Sequence, residues 1–463
     1  MRGRDRGARP GPGRGFLTGV RAPLRRVWHS EVMTDPPAAP ARPVSRTRVS
    51  ERARGVPPFA VMNIIERVAE LKAEGADVIS LCVGEPAQGA PAGVRARAAE
   101  VFSDGTELGY SQVQGVRPLR EAIAGHYRRW YGLDVPAERI FVTTGSSGAF
   151  SMTFLALFDV GDRVALARPG YAAYKNILTA LGCEVVELDC GVDERFQPTV
   201  ELLAAAHAES PLSGLLVASP ANPTGTMLDA EQLTELSDWC RANDVQLISD
   251  EIYHGITFTD SIGETALAFD DDAIVISSFS KFWGMTGWRL GWAILPQDLV
   301  APCLAITGNL TLCPPVPAQH AAIEAFSEAA YAEGELAVAG FAAARQYVLD
   351  ALDDLGWLDI APADGAFYMY ARIDDVLGPY RNATEWCAAL LEEEHVALTP
   401  GLDFDNVNGN RWVRLSLAVG PDRTHAALER IRAFQQRLTV RAAPATGAAG
   451  GTGEGPAGGP APA

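Results

Sequence analysis

The stretch Ser277-Ser-Phe-Ser-Lys-Phe-Trp-Gly-Met-Thr-Gly-Trp-Arg-Leu-Gly291 places one of the chain's few lysines between serines and a glycine-rich turn. The 463-residue chain has 39 lysines and arginines, of which only Lys72, Lys175 and Lys281 are lysines. A lysine amine can lose its proton and form an imine, whereas an arginine guanidinium stays charged. Lys281 is therefore either retained for its amine or a chance survivor of an arginine-rich composition, and its neighbours have to distinguish the two.

The composition predicts a large acidic protein with one large domain and a smaller companion. Hydrophobic residues make up 48% of the chain, and the net charge of −18 argues against nucleic acid or an anionic membrane as the main partner. No apolar run reaches the roughly 18 residues that a membrane span needs. The seven cysteines are scattered without a Cys-x-x-Cys pair, so we expect no metal or redox site and a cytoplasmic location.

Both ends of the chain differ from the middle. Residues 1–32 hold eight arginines but only Asp5 and Glu31 as acids, which is a pattern of mitochondrial transit peptides. Pro10, Pro12 and many glycines would spoil the amphipathic helix of such a peptide, so we favour a translation start at Met33. We accordingly predict a disordered extension over residues 1–45. A disordered tail over residues 441–463 is predicted from its alanine, glycine and proline content.

Short apolar runs alternate with longer helical patterns in the middle of the chain. The predicted strands are residues 78–83, 140–144, 163–167, 185–188, 214–219, 246–250, 273–278 and 290–295. Helical patterns lie between them, for example over residues 147–158, 171–181 and 229–242, the last with Asp229 as N-cap. This alternation predicts an α/β fold with a mainly parallel sheet that helices cover on both faces. Ligands of such sheets bind outside the carboxyl ends of the strands.

After residue 314 the pattern changes to long helices over residues 318–333 and 337–355, strands over 367–371 and 412–417, and a last helix over 424–438. This order predicts a smaller α+β domain, to which a helix over residues 61–74 is expected to contribute. The predicted boundaries are residues 46–93 for an N-terminal segment of the small domain, 94–313 for the large domain and 314–440 for the rest of the small domain.

Two polar motifs follow predicted strands. Val142-Thr-Thr-Gly-Ser-Ser-Gly148 opens a helix, where free amides and the helix dipole favour a phosphate group, although many ordinary strand-to-helix turns look the same. In Asp250-Glu-Ile-Tyr253, a buried aspartate could hold a cationic ring nitrogen protonated and the tyrosine could bond a phenolate. Taken alone, that motif is better explained by an N-cap aspartate followed by a core tyrosine.

The third motif, Ser219-Pro-Ala-Asn-Pro-Thr-Gly225, fixes Asn222 between two restricted backbone positions and is compatible with a plain turn. Around Lys281, Ser278 and Ser280 precede the amine and Arg289 follows it. A guanidinium grips a phosphate through two parallel hydrogen bonds, and serine hydroxyls add to the grip. An ordinary surface ion pair is the alternative for Arg289.

Taken together, the motifs resemble the class I/II aminotransferases, fold-type-I enzymes similar to aspartate aminotransferase that use pyridoxal 5′-phosphate (PLP). The resemblance runs in family order from about residue 59 to residue 434, about four-fifths of the chain. Its most specific part is Ser-Phe-Ser-Lys-x5-Gly-x-Arg-x-Gly, which begins at Ser278. It implies a seven-stranded sheet in the large domain, PLP as cofactor, and a homodimer with two shared sites.

The resemblance also implies a role for each matching residue. Lys281 would form the imine with PLP and carry the proton, Asp250 would face the pyridine nitrogen, and Tyr253 and Asn222 would bond the ring oxygen. The remaining matches comprise phosphate ligands, a stacked ring and substrate contacts, namely Ser146, Ser147, Ser278, Ser280 and Arg289 for the phosphate, Tyr110 for the phosphate of the neighbouring subunit, Tyr171 for the ring, and Arg414, Gly84 and Asn222 for the substrate α-carboxylate. A core tyrosine, an ion-paired arginine and a turn glycine are the structural alternatives for Tyr171, Arg414 and Gly84.

The expected activity is transfer of an amino group from an L-amino acid to a 2-oxo acid by a ping-pong mechanism. A C–S β-lyase and a cyclopropane-forming synthase share the fold and remain alternatives. A PLP-sensing transcription regulator would need an N-terminal winged helix, for which the first 45 residues are too few, and a phosphate-binding protein without catalysis would not need Lys281. We identify no second arginine for an acidic side chain, and residues 57–62 are expected to contribute to the substrate pocket.

Overall fold

The computed structural model describes residues 48–59 and 61–442. The predicted extension over residues 1–45 lies outside the described residues, as does the predicted tail over residues 441–463 except for residues 441 and 442, which end the last helix. Twelve strands are present in the described part, namely β1 Ile79–Ser80, β2 Ile140–Thr143, β3 Arg163–Arg168, β4 Glu184–Asp189, β5 Gly214–Ala218, β6 Gln246–Asp250, β7 Ile274–Ser278, β8 Gly291–Ile294, β9 Tyr368–Arg372, β10 Val396–Ala397, β11 Thr399–Pro400 and β12 Trp412–Ser416.

Thirteen α-helices accompany these strands in the same part of the chain, namely α1 Glu51–Arg54, α2 Val61–Ala73, α3 Ala92–Ser103, α4 Arg117–Tyr131, α5 Gly145–Leu157, α6 Ala172–Leu181, α7 Val200–Glu209, α8 Ala230–Ala242, α9 Gln297–Leu310, α10 Val316–Ala322, α11 Glu328–Leu355, α12 Ala383–Glu394 and α13 Pro421–Ala442. None of them is long and apolar enough to cross a membrane.

A seven-stranded sheet in the order β2-β8-β7-β6-β5-β3-β4 forms the centre of the fold. Only β8 runs antiparallel to its neighbours β2 and β7, so the prediction of a mainly parallel seven-stranded sheet is confirmed. All five residues of β7 are buried, as expected for a parallel strand that is covered on both faces. The parallel register pairs Ala218 with Asp250 and Asp250 with Ile276, so β5, β6 and β7 end side by side.

Helices cover both faces of this sheet. On one face, Phe150 and Phe154 of α5 pack into a cluster with Phe141 of β2. On the other face, Tyr127 of α4 and Trp292 of β8 are buried together, and the Trp292 indole donates to the Tyr127 hydroxyl at 3.2 Å. Each fully buried large side chain contributes about 1.5–3 kcal/mol relative to exposure, so these clusters hold the strand ends at fixed spacing.

The C-terminal part is α+β, as its element order predicted. Strands β11, β12 and β9 form an antiparallel sheet, while β1 near the N-terminus pairs in parallel with β10. This pairing brings Ile79 and Ser80 of the N-terminal segment against Val396 and Ala397 of the C-terminal part. The predicted strand over residues 78–83 is only two residues long, because the chain leaves the sheet there as a loop. The boundaries at residues 46–93, 94–313 and 314–440 remain a prediction.

The predicted helices over residues 318–333 and 337–355 are wrong in their division. Helix α10 ends at Ala322, and a new helix, α11, starts after Ser327 and continues unbroken to Leu355. The Ser327 hydroxyl accepts from the Ala330 amide at 3.3 Å and so caps the new start. Gly334 stays inside α11 because Phe282 fills its side-chain position, where a Cβ would lie 2.5 Å from the ring.

Candidate active site

A cavity of about 400 Å³ lies at the carboxyl ends of β5, β6 and β7, beside the start of α5. All the predicted site residues line it except Ser278 and Tyr110; those that do are Gly84, Ser146, Ser147, Tyr171, Asn222, Asp250, Tyr253, Ser280, Lys281, Arg289 and Arg414. The fold therefore brings together residues that lie up to 330 positions apart in the sequence. The carboxyl ends of the strands are where ligands bind in parallel sheets of this kind.

One end of the cavity is built to receive an anion. The N-cap Thr144 makes no side-chain hydrogen bond to the first turn of α5, so amides of that turn remain available. The preceding turn needs Gly145, whose φ is +69° and where a Cβ would lie 2.6 Å from Arg289 Nη2. The guanidinium and the helix start therefore lie against each other with no room for a side chain between them.

Arg289 is held in this place by an unusual backbone conformation. It follows a one-turn 3-10 helix, Thr286–Trp288, and has a φ of +54°, a left-handed value that non-glycine residues rarely adopt. Its Nη1 donates to the Thr286 carbonyl at 3.0 Å, while the side chain as a whole remains exposed toward the cavity. Backbone strain of this kind concentrates at functional sites, so the conformation supports a binding role for Arg289.

Ser278 supports the cavity from behind. Its Oγ lies 2.9 Å from both Ser280 Oγ and the Leu290 carbonyl, and it accepts from the Ser280 amide at 3.1 Å. Ser278 is buried at 1% exposure, whereas Ser280 lines the cavity. The hydroxyl of Ser278 therefore fixes the turn before Lys281.

A buried carboxylate faces the cavity from the end of β6. Asp250 accepts a hydrogen bond from the Tyr174 hydroxyl and another from the Ile252 amide at 3.1 Å. Burial raises the pKa of this carboxyl to about 6, since its charged form is poorly solvated there. A bound cation next to Asp250 would favour the ionised form. The sequence reasoning missed Tyr174, which lies three residues after Tyr171 and so on the same side of α6.

Lys281 reaches into the cavity from the loop after β7. Its Nζ donates to the Gly84 carbonyl at 2.8 Å and lies 5.8 Å from the centre of the Tyr253 ring. The Tyr253 hydroxyl lies 3.1 Å from the hydroxyl of Tyr368, and burial raises the pKa of Tyr253 well above its usual value. Tyr368 was not predicted from the sequence, because nothing local to β9 connects it to Tyr253.

At the opposite end, Arg414 of β12 is buried and fixed on several sides. Its Nη1 donates to Asn222 Oδ1 at 3.0 Å and its Nη2 to the Cys82 carbonyl at 2.5 Å. The guanidinium lies 4.3 Å from the Tyr368 ring centre and 4.7 Å from that of Phe404. Both of these hydrogen-bond partners are neutral and Arg414 lines the cavity, so its charge is available to a carboxylate there, which disfavours the ion-pair alternative for Arg414.

Tyr171 and Tyr110 differ in their placement. Tyr171 is half-buried on the cavity wall, with Phe59 parallel to it at 6.2 Å and Tyr174 edge-on at 5.3 Å. Tyr110 is 86% exposed and lies away from the cavity, so this protomer does not bring it to its own site. The contact of Tyr110 with a neighbouring subunit stays a prediction.

The residues present fit PLP. The helix start and Arg289 suit a dianionic phosphate, the buried Asp250 suits a cationic pyridine nitrogen, and Lys281 offers an amine between them. Across residues 48–59 and 61–442 there is no group of three or more His, Cys, Asp or Glu side chains that could hold a metal ion. Fold and site together define a PLP-dependent transferase with a large α/β sheet.

Comparison with known proteins narrows this class. The family described as aminotransferase class I and II matches residues 76–431, and the chain belongs to that family. A valine–pyruvate aminotransferase of Mycobacterium tuberculosis is 46% identical over 386 residues, which cover 83% of this chain and 97% of the relative. The protein is therefore a PLP-dependent aminotransferase that acts on amino acid and 2-oxo acid substrates.

Solved structures agree with this assignment. A crystal structure of an aminotransferase from Mycobacterium tuberculosis has a TM-score of 0.81 at 46% identity and covers 84% of this chain and 100% of that one. A Thermus thermophilus aspartate aminotransferase with maleate has a TM-score of 0.78 at 30% identity and covers 85% and 100%.

Proposed function

We propose that this aminotransferase moves the amino group of an apolar aliphatic L-amino acid, such as valine, to pyruvate by a ping-pong mechanism. The distribution of charge in the cavity carries the proposal. Of the described residues that line the cavity, the arginines are Arg289 and Arg414, one at each end. With one committed to phosphate and the other to an α-carboxylate, no guanidinium remains in this wall for an acidic side chain.

The residues that would hold PLP follow from the geometry of the cavity. The start of α5 with Ser146, Ser147, Ser280 and Arg289 would bind the phosphate, with Ser278 supporting the turn. Asp250 would face the ring nitrogen, Asn222 and Tyr253 the ring oxygen, and Tyr171 one face of the ring. When bound, PLP withdraws the electrons that are released at the α-carbon of the amino acid.

Lys281 would act as general base and acid. With its amine free, Lys281 would remove the proton from the α-carbon of the amino acid, carry it, and later give it up again. The Gly84 carbonyl, 2.8 Å from Nζ, already orients this amine. The Asp250 carboxylate would stabilise the positive charge on the ring nitrogen while the proton moves.

Arg414 gives a physical reason for ping-pong kinetics. Donor and acceptor both carry an α-carboxylate, and Arg414 is the guanidinium at this end of the cavity that would receive it. The two substrates therefore compete for the same place and have to bind in turn. Plots of reciprocal initial rate against the reciprocal concentration of one substrate should give parallel lines at several fixed concentrations of the other.

The donor class follows from the side wall between the two charged ends. Apolar side chains dominate it, among them Phe59, Val61, Met62, Ile65 and Ile177. Such a wall stabilises a branched aliphatic side chain by about 0.8 kcal/mol for each buried CH₂ and offers no compensation for a carboxylate. Valine and pyruvate are also the substrates in the name of the 46% identical relative.

The lysine assignment is testable because the chain has three lysines. Reduction of the PLP-loaded enzyme with borohydride, followed by peptide mass spectrometry, should place the adduct on Lys281 and on neither Lys72 nor Lys175. Lys281→Ala should abolish amino transfer and the visible absorbance of bound cofactor. Lys72→Ala, an exposed change in α2, is the matched control and should leave both unchanged. A fully active Lys281→Ala variant would refute the proposed role.

Substrate choice is tested with a panel of amino donors against pyruvate, 2-oxoglutarate and oxaloacetate. We expect kcat/KM for valine with pyruvate to exceed that for aspartate by at least about 100-fold, since a buried uncompensated carboxylate costs several kcal/mol. A preference for aspartate or glutamate as donor would contradict the assignment while leaving the PLP chemistry intact.

We also propose a homodimer in the cytoplasm. Tyr110 is 86% exposed, and Phe102, Leu310 and Leu312 expose 71%, 65% and 40% of their surface. Gly308 of α9 lies against Val113, so the end of α9 adjoins the Tyr110 loop. Exposed apolar side chains of this size are typical of an interface, and Tyr110 would then reach the phosphate of the partner subunit.

Shared sites can be tested by mixing inactive subunits. A dimer of one Lys281→Ala and one Tyr110→Ala subunit should contain one intact site and one with both changes. Co-expressed, differently tagged subunits purified as the mixed dimer should therefore recover activity above either parent. No recovery from a mixed dimer that sediments normally would place Tyr110 outside the site.

A further inference from the structure

The geometry points to Tyr368 as a positioning residue that orients both the Tyr253 hydroxyl and the Arg414 guanidinium. This role of Tyr368 rests on the proposed function, in which Tyr253 bonds the cofactor and Arg414 binds the substrate carboxylate. Tyr368 lies on β9, more than 100 residues from Tyr253, and none of the sequence motifs contains it. Its two contacts use different parts of the side chain, so they can be tested separately.

The first contact is between two hydroxyls. The oxygen atoms of Tyr253 and Tyr368 lie 3.1 Å apart, and the two residues are 5% and 2% exposed. Each phenol has one proton to donate. If Tyr253 donates its proton toward a ligand in the cavity, its oxygen can accept the proton of Tyr368, and both hydroxyls are then satisfied. The pair therefore forms a directed chain from Tyr368 through Tyr253 to the ligand.

Gly84 fixes the Tyr368 hydroxyl in this position. A Cβ at residue 84 would lie 1.8 Å from the hydroxyl oxygen and 2.9 Å from the ring carbon that carries it. The hydroxyl thus occupies the place of the missing side chain, between Gly84 and Tyr253. The carbonyl of the same glycine accepts from Lys281, so the chain of contacts also adjoins the reactive amine.

A hydroxyl that accepts a hydrogen bond becomes a stronger donor, because successive bonds in a chain polarise one another. The charged and titratable groups that face the pair are Asp250 of β6, Lys281 after β7, Arg414 of β12, and Tyr171 and Tyr174 at α6. Tyr368 would strengthen the bond from Tyr253 to the phenolic oxygen of the cofactor without touching the reacting atoms.

The second contact uses the ring. The Arg414 guanidinium lies 4.3 Å from the ring centre of Tyr368 and 4.7 Å from that of Phe404. Contact with both rings restricts the movement of the guanidinium, whose Nη1 donates to Asn222 at 3.0 Å. The ring of Tyr368 therefore helps to hold the carboxylate-binding group in place before a substrate arrives.

Tyr368→Phe separates the two contacts, because it removes the hydroxyl and keeps the ring. Tyr370→Phe is the matched control: Tyr370 is two residues along the same strand, is 1% exposed, and its hydroxyl has no partner within the described residues. The readout besides activity is the visible absorbance of the PLP-loaded enzyme as a function of pH. A weaker Tyr253 bond stabilises the deprotonated, anionic oxygen less, so the transition moves to higher pH.

We expect Tyr368→Phe to raise the pH of this transition by about 0.5 to 1 unit, to lower kcat, and to leave KM for the amino donor within about twofold. Tyr370→Phe should give the wild-type transition. Tyr368→Leu, which also removes the ring, should raise KM by about tenfold or more. If the leucine variant does not fold, the two phenylalanine variants still decide the question for the hydroxyl.

An unchanged transition in Tyr368→Phe, or an equal shift in Tyr370→Phe, overturns the inference. Borohydride labelling in the same preparations distinguishes this failure from that of the proposed function. An adduct on Lys281 with an unchanged transition contradicts the role of Tyr368 alone, whereas the lack of an adduct on Lys281 contradicts the cofactor assignment itself.

Discussion

Gly145→Ala should weaken PLP binding and, to a smaller extent, lower the stability of the fold. Gly145 begins α5 with a φ of +69°, and an added Cβ would lie 2.6 Å from Arg289 Nη2 and 3.2 Å from its Cζ. Carbon and nitrogen cannot approach to 2.6 Å without a bond, so the guanidinium has to move. Because Arg289 itself has a constrained backbone at a φ of +54°, its side chain has few ways to yield and still face the helix start.

The magnitude has two parts. A left-handed conformation costs an L-residue about 1–2 kcal/mol, which lowers the stability of the apoprotein. Loss of the charge-assisted bonds from Arg289 to the phosphate costs a further 1.5–3 kcal/mol or so of binding free energy. That range corresponds to an increase of about 10- to 150-fold in the Kd for PLP.

Gly148→Ala provides the control in the same helix. Its Cβ would lie 3.5 Å from that of Thr144, an ordinary contact, and alanine is the better helix former by about 1 kcal/mol. Titration of both apoproteins with PLP, monitored by the quenching of tryptophan fluorescence, gives the Kd for PLP. Thermal unfolding of the same apoproteins gives their stability. Wild-type affinity in Gly145→Ala would refute the assignment of this end of the cavity to phosphate.

Three further changes test other parts of the site. Arg414→Lys replaces a planar fork with a point charge and should raise KM for valine by about 10- to 100-fold, as measured by initial rates; an unchanged KM would contradict carboxylate binding there. Asp250→Asn should lower kcat by at least about 100-fold while borohydride still labels Lys281, and retained kcat would exclude a role in holding the ring nitrogen protonated. Burial raises the pKa of Glu251 to about 8, above its value near 4.3 in the unfolded chain. Between these pH values the folded protein holds a proton on Glu251 that the unfolded chain has lost, so the free energy of unfolding falls as the pH rises through this range. Glu251→Gln should therefore gain roughly 2–4 °C or more in Tm over wild type at pH 8 and little at pH 5, whereas an equal gain at both would show that ionisation is not the cause.

Much of the fold could be predicted, as could the residues proposed to bind PLP, because each is indicated by a short continuous stretch of sequence. Asp250 terminates a buried strand, and Lys281 follows another within the same short motif as Arg289. Parallel strands bring such ends together, so linear order suffices to place them at one edge. The division of the helices after residue 314 failed for an equally physical reason: Gly334 suggests a helix end, but Phe282 packs against it and the helix continues.

Contacts between distant segments could not be predicted. Tyr368 meets Tyr253 across 115 positions, and its hydroxyl occupies the space left by Gly84, far away in the N-terminal segment. Tyr174 could have been predicted, because it follows Tyr171 by one helical turn and the buried carboxylate of Asp250 requires a hydrogen-bond donor. Phe404 directly follows a 3-10 turn, Gly401–Asp403, whose position depends on the small sheet, so no spacing rule leads to it.

The two ends of the cavity are formed by different kinds of element. This difference explains why the class of reaction is easier to predict from the sequence than the substrate. The phosphate end combines two adjacent segments of one rigid sheet, which tolerate little change before Arg289 and Gly145 collide. At the substrate end, the start of α2 meets the small sheet, and the Val61 amide donates to Asp403 at 2.8 Å. Apolar side chains near that bond, such as Met62 and Ile65, can be exchanged without disturbing any hydrogen bond at the other end of the cavity. Substitutions at these positions should therefore change substrate preference without loss of the contacts proposed for PLP.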